Sequence, residues 1–211
     1  MLLKTANQKI KVIAAAGDGG TFSEGVNHLV HAIRNDYPIL FLHYDNQNYA
    51  LTTGQPSSTT PKGCKMNSAP EGSEIEPLNP LEMVLSLKPS FVARTCSADT
   101  DHMTEIFRKA LNHKGFAFIE ILQTCPTYNK VTSNEWYLDR IRPIEELKDY
   151  DVHNIWDARK ISEEMDILYV GVLYHNPNRE SFLECTHRDG IKTTLVEEVR
   201  HYDISEFLKE L

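Results

Sequence analysis

The chain has 211 residues, a formal net charge of -8 at pH 7 and 41% hydrophobic residues. This length suits one domain with a sizeable core, or one domain with an appended piece, and the acidic balance without a basic cluster argues against nucleic acid as a partner. The first residues lack a secretory signal and no stretch is long enough to span a bilayer, so we expect a cytoplasmic protein with no membrane partner.

The first elements in the chain are two apolar segments separated by an amphipathic one. Ile10 to Ala16 predicts a buried strand, Phe22 to Arg34 a helix with one apolar face, and Pro38 to His43 a second buried strand. A strand, a crossover helix and a parallel strand form a right-handed unit, and ligands bind beyond the carboxyl ends of its strands.

Polar residues stand at both of those carboxyl ends. Gly17-Asp18-Gly19 follows the first strand and Asp45-Asn46 follows the second. Oxygen ligands from Asp18 and Asn46 suit Mg²⁺ bound to a diphosphate, and the glycines let backbone N–H groups approach the phosphates. Taken singly, each motif is more often a structural turn. A dinucleotide-binding G-x-G-x-x-G motif is disfavoured because Phe22 stands where its third glycine belongs.

The middle of the chain continues the alternation of strands and helices. Residues 46–60 are polar and predict a functional loop, and residues 61–79 predict an exposed excursion. The predicted elements that follow are a helix at 80–87, a strand at 90–93, a helix at 99–112 and a strand at 116–122. Such alternation is typical of a doubly wound sheet.

The final third, from Ser133 onward, contains no catalytic motif. It predicts charged helical segments at 144–148 and 155–164, a strand at 167–173 and a terminal helix after Asp203.

The cysteines and histidines by themselves indicate no metal site. The four cysteines form no C-x-x-C pair and are free thiols by default: Cys64, Cys96, Cys125 and Cys185. His28 and His31 lie on one side of a helix without a carboxylate at ligand spacing, so we expect a structural role for both.

Five segments, in order, resemble the beta subunit of 2-oxoacid:ferredoxin oxidoreductases, which bind thiamine diphosphate. The segments are GDGG (17–20), EGVNHLVHAIRN (24–35), YDNQNYALTTGQPSSTT (44–60), FVAR (91–94) with NHKGFAFIEILQTCPTYN (112–129), and DILYVGVLYHN (166–176). The resemblance implies an α/β fold with a mostly parallel, doubly wound sheet of the thiamine diphosphate-binding type at 1–130. It implies a C-terminal α+β extension at 131–211.

The resemblance also implies the residues of a cofactor site. Mg²⁺ is expected on Asp18, the Asn46 side chain and the Asn48 carbonyl. Contacts to thiamine diphosphate are expected from Gly19, Gly20, Ala50 and Leu51, with Gln55, Thr59 and Thr60 as weaker candidates for the loop of the site. The chain departs from the family at Gly20, where Asp is usual, at Ile33-Arg34-Asn35, and at Ser57-Ser58-Thr59, where Ser-Pro-Thr is usual.

In members of this family that hold a [4Fe-4S] cluster, the cysteine matching Cys125 is the fourth ligand. Without the resemblance, an inert core thiol is the simpler interpretation. The other three cluster cysteines precede the strand that begins near Ile10, so the chain resembles the carboxyl-terminal two thirds of a beta subunit. Because the usual cluster needs four thiolates, we expect the chain alone to lack it.

The implied activity is oxidative decarboxylation of a 2-oxoacid such as pyruvate to an acyl-coenzyme A, with electrons passed to ferredoxin. The implied partner is an alpha subunit, with gamma and delta subunits in some assemblies, and the chain is expected to be inactive alone. Two alternatives stay open: another thiamine diphosphate enzyme, such as an acetolactate synthase or transketolase relative, and a non-catalytic structural subunit. The motifs at Tyr49–Gln55 and Thr124–Asn129 disfavour the first alternative.

Overall fold

The computed structural model describes residues 10–191, 193, 197, 205 and 207–209. Within them, six strands form one sheet in the order β1-β2-β4-β3-β6-β5. The strands are β1 (Val12–Gly17), β2 (Ile39–Asp45), β3 (Phe91–Cys96), β4 (Ala117–Leu122), β5 (Ile141–Pro143) and β6 (Leu168–His175). β6 runs antiparallel to β3, and the other neighbouring pairs are parallel. The predicted fold class, a mostly parallel α/β sheet, is confirmed.

Helices cover both faces of the sheet. They are α1 (Val26–Arg34), α2 (Pro80–Ser86), α3 (Thr100–Asn112), α4 (Asn134–Arg140), α5 (Ile155–Ser162) and α6 (Phe182–Cys185). One core is formed by α1, α2 and α5 against residues such as Phe116 and Phe118, and α3 packs on the opposite face against Ile119 and Ile121. β3 and β4 are buried along their whole length, as continuous apolar runs in a parallel sheet predict.

Side chains set the starts of the helices. Asn79 accepts hydrogen bonds from the N–H groups of Leu81 and Glu82, and Pro80 occupies the first position of α2. Asp99 caps α3 by accepting the N–H of His102 at 3.0 Å. None of the helices in the described ranges combines the length and the apolar character needed to cross a bilayer.

The structure corrects the predicted helix between β1 and β2. Residues Gly19–Glu24 form a π-helical turn, and α1 begins only at Val26. The N–H of Gly25 donates to the carbonyl of Gly20 at 2.9 Å, the i to i+5 spacing of a π turn. A Cβ atom at Gly25 would lie 2.7 Å from that carbonyl oxygen, so glycine permits the junction.

Other expectations differ in detail. β1 lies at the edge of the described sheet, and its Ile13 is 53% exposed, so the predicted buried character of this strand was wrong. The predicted helix at 144–148 is a single 3₁₀ turn, Ile144–Glu146. The predicted terminal helix after Asp203 lies mostly outside the described residues, of which Phe207–Lys209 form a 3₁₀ turn. Helices α4 and α6 and strand β5 were not predicted from the sequence.

Candidate functional site

Asp18 lies just beyond the end of β1, where the parallel register pairs Gly17 with Tyr44 of β2. Its side chain is 2% exposed and accepts hydrogen bonds from the hydroxyl of Ser57 and, at 3.2 Å, from that of Thr59. Burial raises the pKa of Asp18, and the hydrogen bond from Ser57 opposes this rise. The 46–60 loop therefore folds back onto the carboxylate that the sequence singled out.

Thr59 joins Asp18 to a second buried carboxylate. Its hydroxyl contacts Asp45 Oδ1 at 2.7 Å, in addition to Asp18. Burial raises the pKa of Asp45 well above its usual range, and the charges of Asp18 and Glu120 add to the rise. The Thr59 hydroxyl has one hydrogen, so it can donate to only one of the two carboxylates. A proton on Asp45 resolves this, because Asp45 then donates to Thr59 while Thr59 donates to Asp18.

The residues after β2 form a tight polar turn. Gln47 has a φ of 60°, and the N–H of Asn48 donates to Asn46 Oδ1 at 3.2 Å, an Asx turn. The side-chain amide of Asn48 donates through Nδ2 to the backbone carbonyl of Asn46 at 2.9 Å, and Asn129 Nδ2 donates to the same carbonyl at 3.2 Å. Asn48 Oδ1 is buried without a hydrogen-bond partner.

The glycine turn and this loop are in direct contact. A Cβ atom at Gly19 would lie 2.2 Å from an atom of the Tyr49 ring, so only glycine fits there without movement of the ring. The N–H of Tyr49 donates to the carbonyl of Gln55 at 2.9 Å, and the hydroxyl of Thr60 donates to the carbonyl of Gln47 at 2.6 Å. These bonds close the loop over the turn.

The other predicted contact residues are on the open side of this arrangement. Gly20 is exposed and Ala50 is half-buried, whereas Leu51 is 97% exposed. Leu51 is therefore accessible to a ligand or to another chain.

Cys125 follows β4 and lies next to the 46–48 turn. Its side chain is 5% exposed, and the N–H of Tyr128 donates to its sulfur at 3.5 Å. Burial raises the pKa of this thiol, but backbone N–H groups of Tyr128, Asn129 and Thr127 together with the Asn48 side chain outweigh it, so the net pKa is lowered. A lowered pKa favours the thiolate that binds metals.

Sequence reasoning missed a row of charged side chains buried beneath the loop. The parallel register places His43 of β2 and Arg94 of β3 on either side of Glu120 of β4, and all are buried. Arg94 Nε lies 2.5 Å from Glu120 Oε2. Burial lowers the pKa of His43 to about 3, so its imidazole is neutral. The available signal was the charged residues inside the otherwise apolar segments FVAR and FAFIEIL.

Two family descriptions together match most of the chain. Residues 1–121 match the C-terminal TPP binding domain of thiamine pyrophosphate enzymes. Residues 125–188 match the C-terminal region of the pyruvate ferredoxin oxidoreductase beta subunit.

Curated relatives carry related names. The chain is 34% identical over 192 residues to 2-oxoacid:ferredoxin oxidoreductase 1, subunit beta, of Aeropyrum pernix, covering 86% of this chain and 60% of that protein. It is 38% identical over 149 residues to the 2-oxoacid:ferredoxin oxidoreductase subunit beta of a Sulfolobus species, covering 71% and 49%. The chain thus spans 49% to 60% of the length of these two relatives.

A solved structure agrees with both. The 2-oxoglutarate:ferredoxin oxidoreductase from Magnetococcus marinus, with 2-oxoglutarate, coenzyme A and succinyl-CoA bound, superimposes with a TM-score of 0.85 at 26% identity. The match covers 99% of this chain and 70% of that one.

Proposed function

Because the chain belongs to the family of 2-oxoacid:ferredoxin oxidoreductase beta subunits and contains its thiamine pyrophosphate enzyme domain, we propose that it binds thiamine diphosphate through Mg²⁺ at the Asp18 turn. The observation that carries the proposal is the convergence of Asp18 with the 46–60 loop at the carboxyl ends of β1 and β2. This edge is where ligands of parallel sheets bind.

The donor atoms fit Mg²⁺, which prefers hard oxygen ligands and keeps some positions for phosphate oxygens and water. Asp18 offers a carboxylate, Asn46 an amide oxygen and Asn48 a backbone carbonyl. The buried, unpartnered Oδ1 of Asn48 marks a polar surface that the chain alone does not satisfy. In this proposal Ser57 and Thr59 orient the Asp18 carboxylate towards the ion.

The glycine turn would receive the diphosphate. Gly19 and Gly20 lie at the start of the π-helical turn, where backbone N–H groups lack partners within the helix. The half-buried Ala50 and the exposed Leu51 would contact the cofactor from the loop. When bound, thiamine diphosphate supplies the nucleophilic carbon for decarboxylation of a 2-oxoacid, and the role of this chain is to hold and orient it.

Cys125 is proposed as one thiolate ligand of a [4Fe-4S] cluster. Its lowered pKa suits that role, and the cysteines in the described residues are all free thiols. Four thiolates are needed, so the cluster forms only where three further cysteines are supplied beside Cys125.

In a complete enzyme, the chain would act with an alpha subunit to convert a 2-oxoacid and coenzyme A to an acyl-coenzyme A, with ferredoxin as electron acceptor. We propose a cytoplasmic heteromer in which this chain is inactive by itself. We also propose that residues 1–130 form the thiamine diphosphate-binding domain and that residues 131–211 form an extension, which adds β5 and β6 to the sheet.

Calorimetric titration of the chain with thiamine diphosphate, with and without Mg²⁺, tests the cofactor site. We expect binding that requires Mg²⁺ and is lost in Asp18→Asn. The matched control is Asp139→Asn, because Asp139 is an exposed carboxylate on α4. Binding that is equally tight without Mg²⁺ or in Asp18→Asn would contradict the ligand assignment, and no binding at millimolar cofactor would contradict the site itself.

A further inference from the structure

A second set of metal-ligating side chains lies below the Asp18 turn, inside the sheet. His43, Asp45 and Glu120 each offer a ligand atom, and these atoms all lie within 4.8 Å of one another. They come from adjacent parallel strands, and the register pairs His43 directly with Glu120. All three are at least 96% buried, with exposures of 0%, 4% and 1%.

The imidazole of His43 is held rigidly and is incompletely satisfied. Its Nδ1 lies 3.3 Å from the hydroxyl of Thr21, whereas Nε2 is buried with no hydrogen-bond partner. The ring packs edge-on to Phe22 and stacks on Phe118, with centroids 4.9 and 5.7 Å away. A buried ring nitrogen without a partner costs free energy unless something binds to it.

The charges of the cluster do not balance. Glu120 pairs with Arg94 through Oε2, while Asp45 contacts the hydroxyl of Thr59 and, at 3.2 Å, the N–H of Gln47. Two carboxylates therefore share one guanidinium among the ion pairs of the described residues. A buried carboxylate without a counter-ion is unfavourable, and either a proton on Asp45 or a cation bound in its place removes that cost.

Space exists beside the carboxylates. Asp45, Glu120 and Arg94 line a cavity of about 120 Å³ that Tyr137 and Leu168 also border. The buried hydroxyl of Tyr137 has no hydrogen-bond partner. His43 does not line this cavity. Since about 15 Å³ suffices for one water molecule by this measure, the cavity has room for water ligands on the carboxylate side of the cluster.

We propose that His43, Asp45 and Glu120 form a binding site for one divalent first-row transition-metal ion, separate from the Mg²⁺ ligands Asp18, Asn46 and Asn48. One imidazole with two carboxylates and water suits Mn²⁺ or Fe²⁺, because imidazole favours transition metals while carboxylates and water suit Mn²⁺. Thr21 orients the imidazole and Arg94 orients Glu120, as outer partners of metal ligands do. This inference does not depend on thiamine diphosphate binding.

Pulsed electron paramagnetic resonance of the chelator-treated full chain with one equivalent of Mn²⁺ tests the site. We expect a nitrogen hyperfine coupling from the imidazole of His43. Mn²⁺ at the Asp18 site would give no such coupling, because its proposed ligands are all oxygen atoms. The coupling should persist in Asp18→Asn and in His28→Gln/His31→Gln, which removes an exposed histidine pair on α1. It should be lost in His43→Gln.

The wild-type spectrum can refute the proposal even where His43→Gln does not fold. No nitrogen coupling in the wild type overturns the proposal and means that a proton, not a metal ion, relieves the excess charge. A coupling that persists in folded His43→Gln, or that disappears in His28→Gln/His31→Gln, also overturns it. Mn²⁺ bound with a coupling that only His43→Gln removes supports it.

Discussion

Replacing Arg94 with methionine removes one partner of the ion pair buried in the sheet. The side chains of Arg94 and Glu120 are 7% and 2% exposed, and Nε and Oε2 are 2.5 Å apart. Breaking such a pair leaves an uncompensated charge in the interior and costs about 3–5 kcal/mol of folding free energy. For a chain of this size, the melting temperature should fall by about 6–20 °C.

Removing Glu120 as well as Arg94 tests whether the unpaired charge causes the loss of stability. Arg94→Met/Glu120→Leu removes both charges of the pair, so it should be more stable than Arg94→Met alone. Urea unfolding followed by circular dichroism at pH 7 measures both variants. The matched control is Lys109→Met, which breaks the exposed pair between Lys109 and Glu105, 44% and 61% exposed, and should change stability far less.

A loss in Arg94→Met no greater than that of Lys109→Met would refute the buried-charge argument. So would a double variant as unstable as the sum of its single variants.

Three further changes probe the site and its support. Gly19→Ala places a Cβ atom 2.2 Å from the Tyr49 ring. It should weaken Mg²⁺–thiamine diphosphate binding in a calorimetric titration, while the circular dichroism spectrum stays unchanged. Unaltered affinity would contradict the close approach of Gly19 and Tyr49. Asn129→Ala removes the bond to the Asn46 carbonyl and the acceptor of the Val131 and Thr132 N–H groups; it should cost about 1–3 kcal/mol in urea unfolding and lower cofactor affinity. The folded-state pKa of His43, about 3, lies below its unfolded value of 6.5. Below pH 6.5 the unfolded chain therefore binds a proton that the folded chain does not. Stability falls as the pH drops through this range, by up to about 1.4 kcal/mol per pH unit. His43→Gln should flatten that slope in unfolding measurements between pH 6.5 and 4.5, and an unchanged slope would show that other groups cause it.

The sequence by itself determined most of the strands and helices up to residue 122 and the strand ends at which chemistry is expected. The apolar runs of β2 and β4 and the amphipathic pattern of α3 depend on neighbouring residues, so they can be predicted locally. Gly17-Asp18-Gly19 and Asp45-Asn46 mark the ends of two strands because glycine, aspartate and asparagine favour turns through local backbone conformation. The family resemblance added the specific cofactor and the residues of the loop.

The tertiary structure decided which strands and side chains meet. That β6 runs antiparallel to β3, and that β1 lies at the edge of the described sheet, follow from long-range pairing that no local pattern encodes. The alignment of His43, Glu120 and Arg94 likewise depends on the register of three strands that are far apart in sequence. A shift of one residue would turn each of these side chains to the opposite face of the sheet, so packing alone fixes the buried cluster.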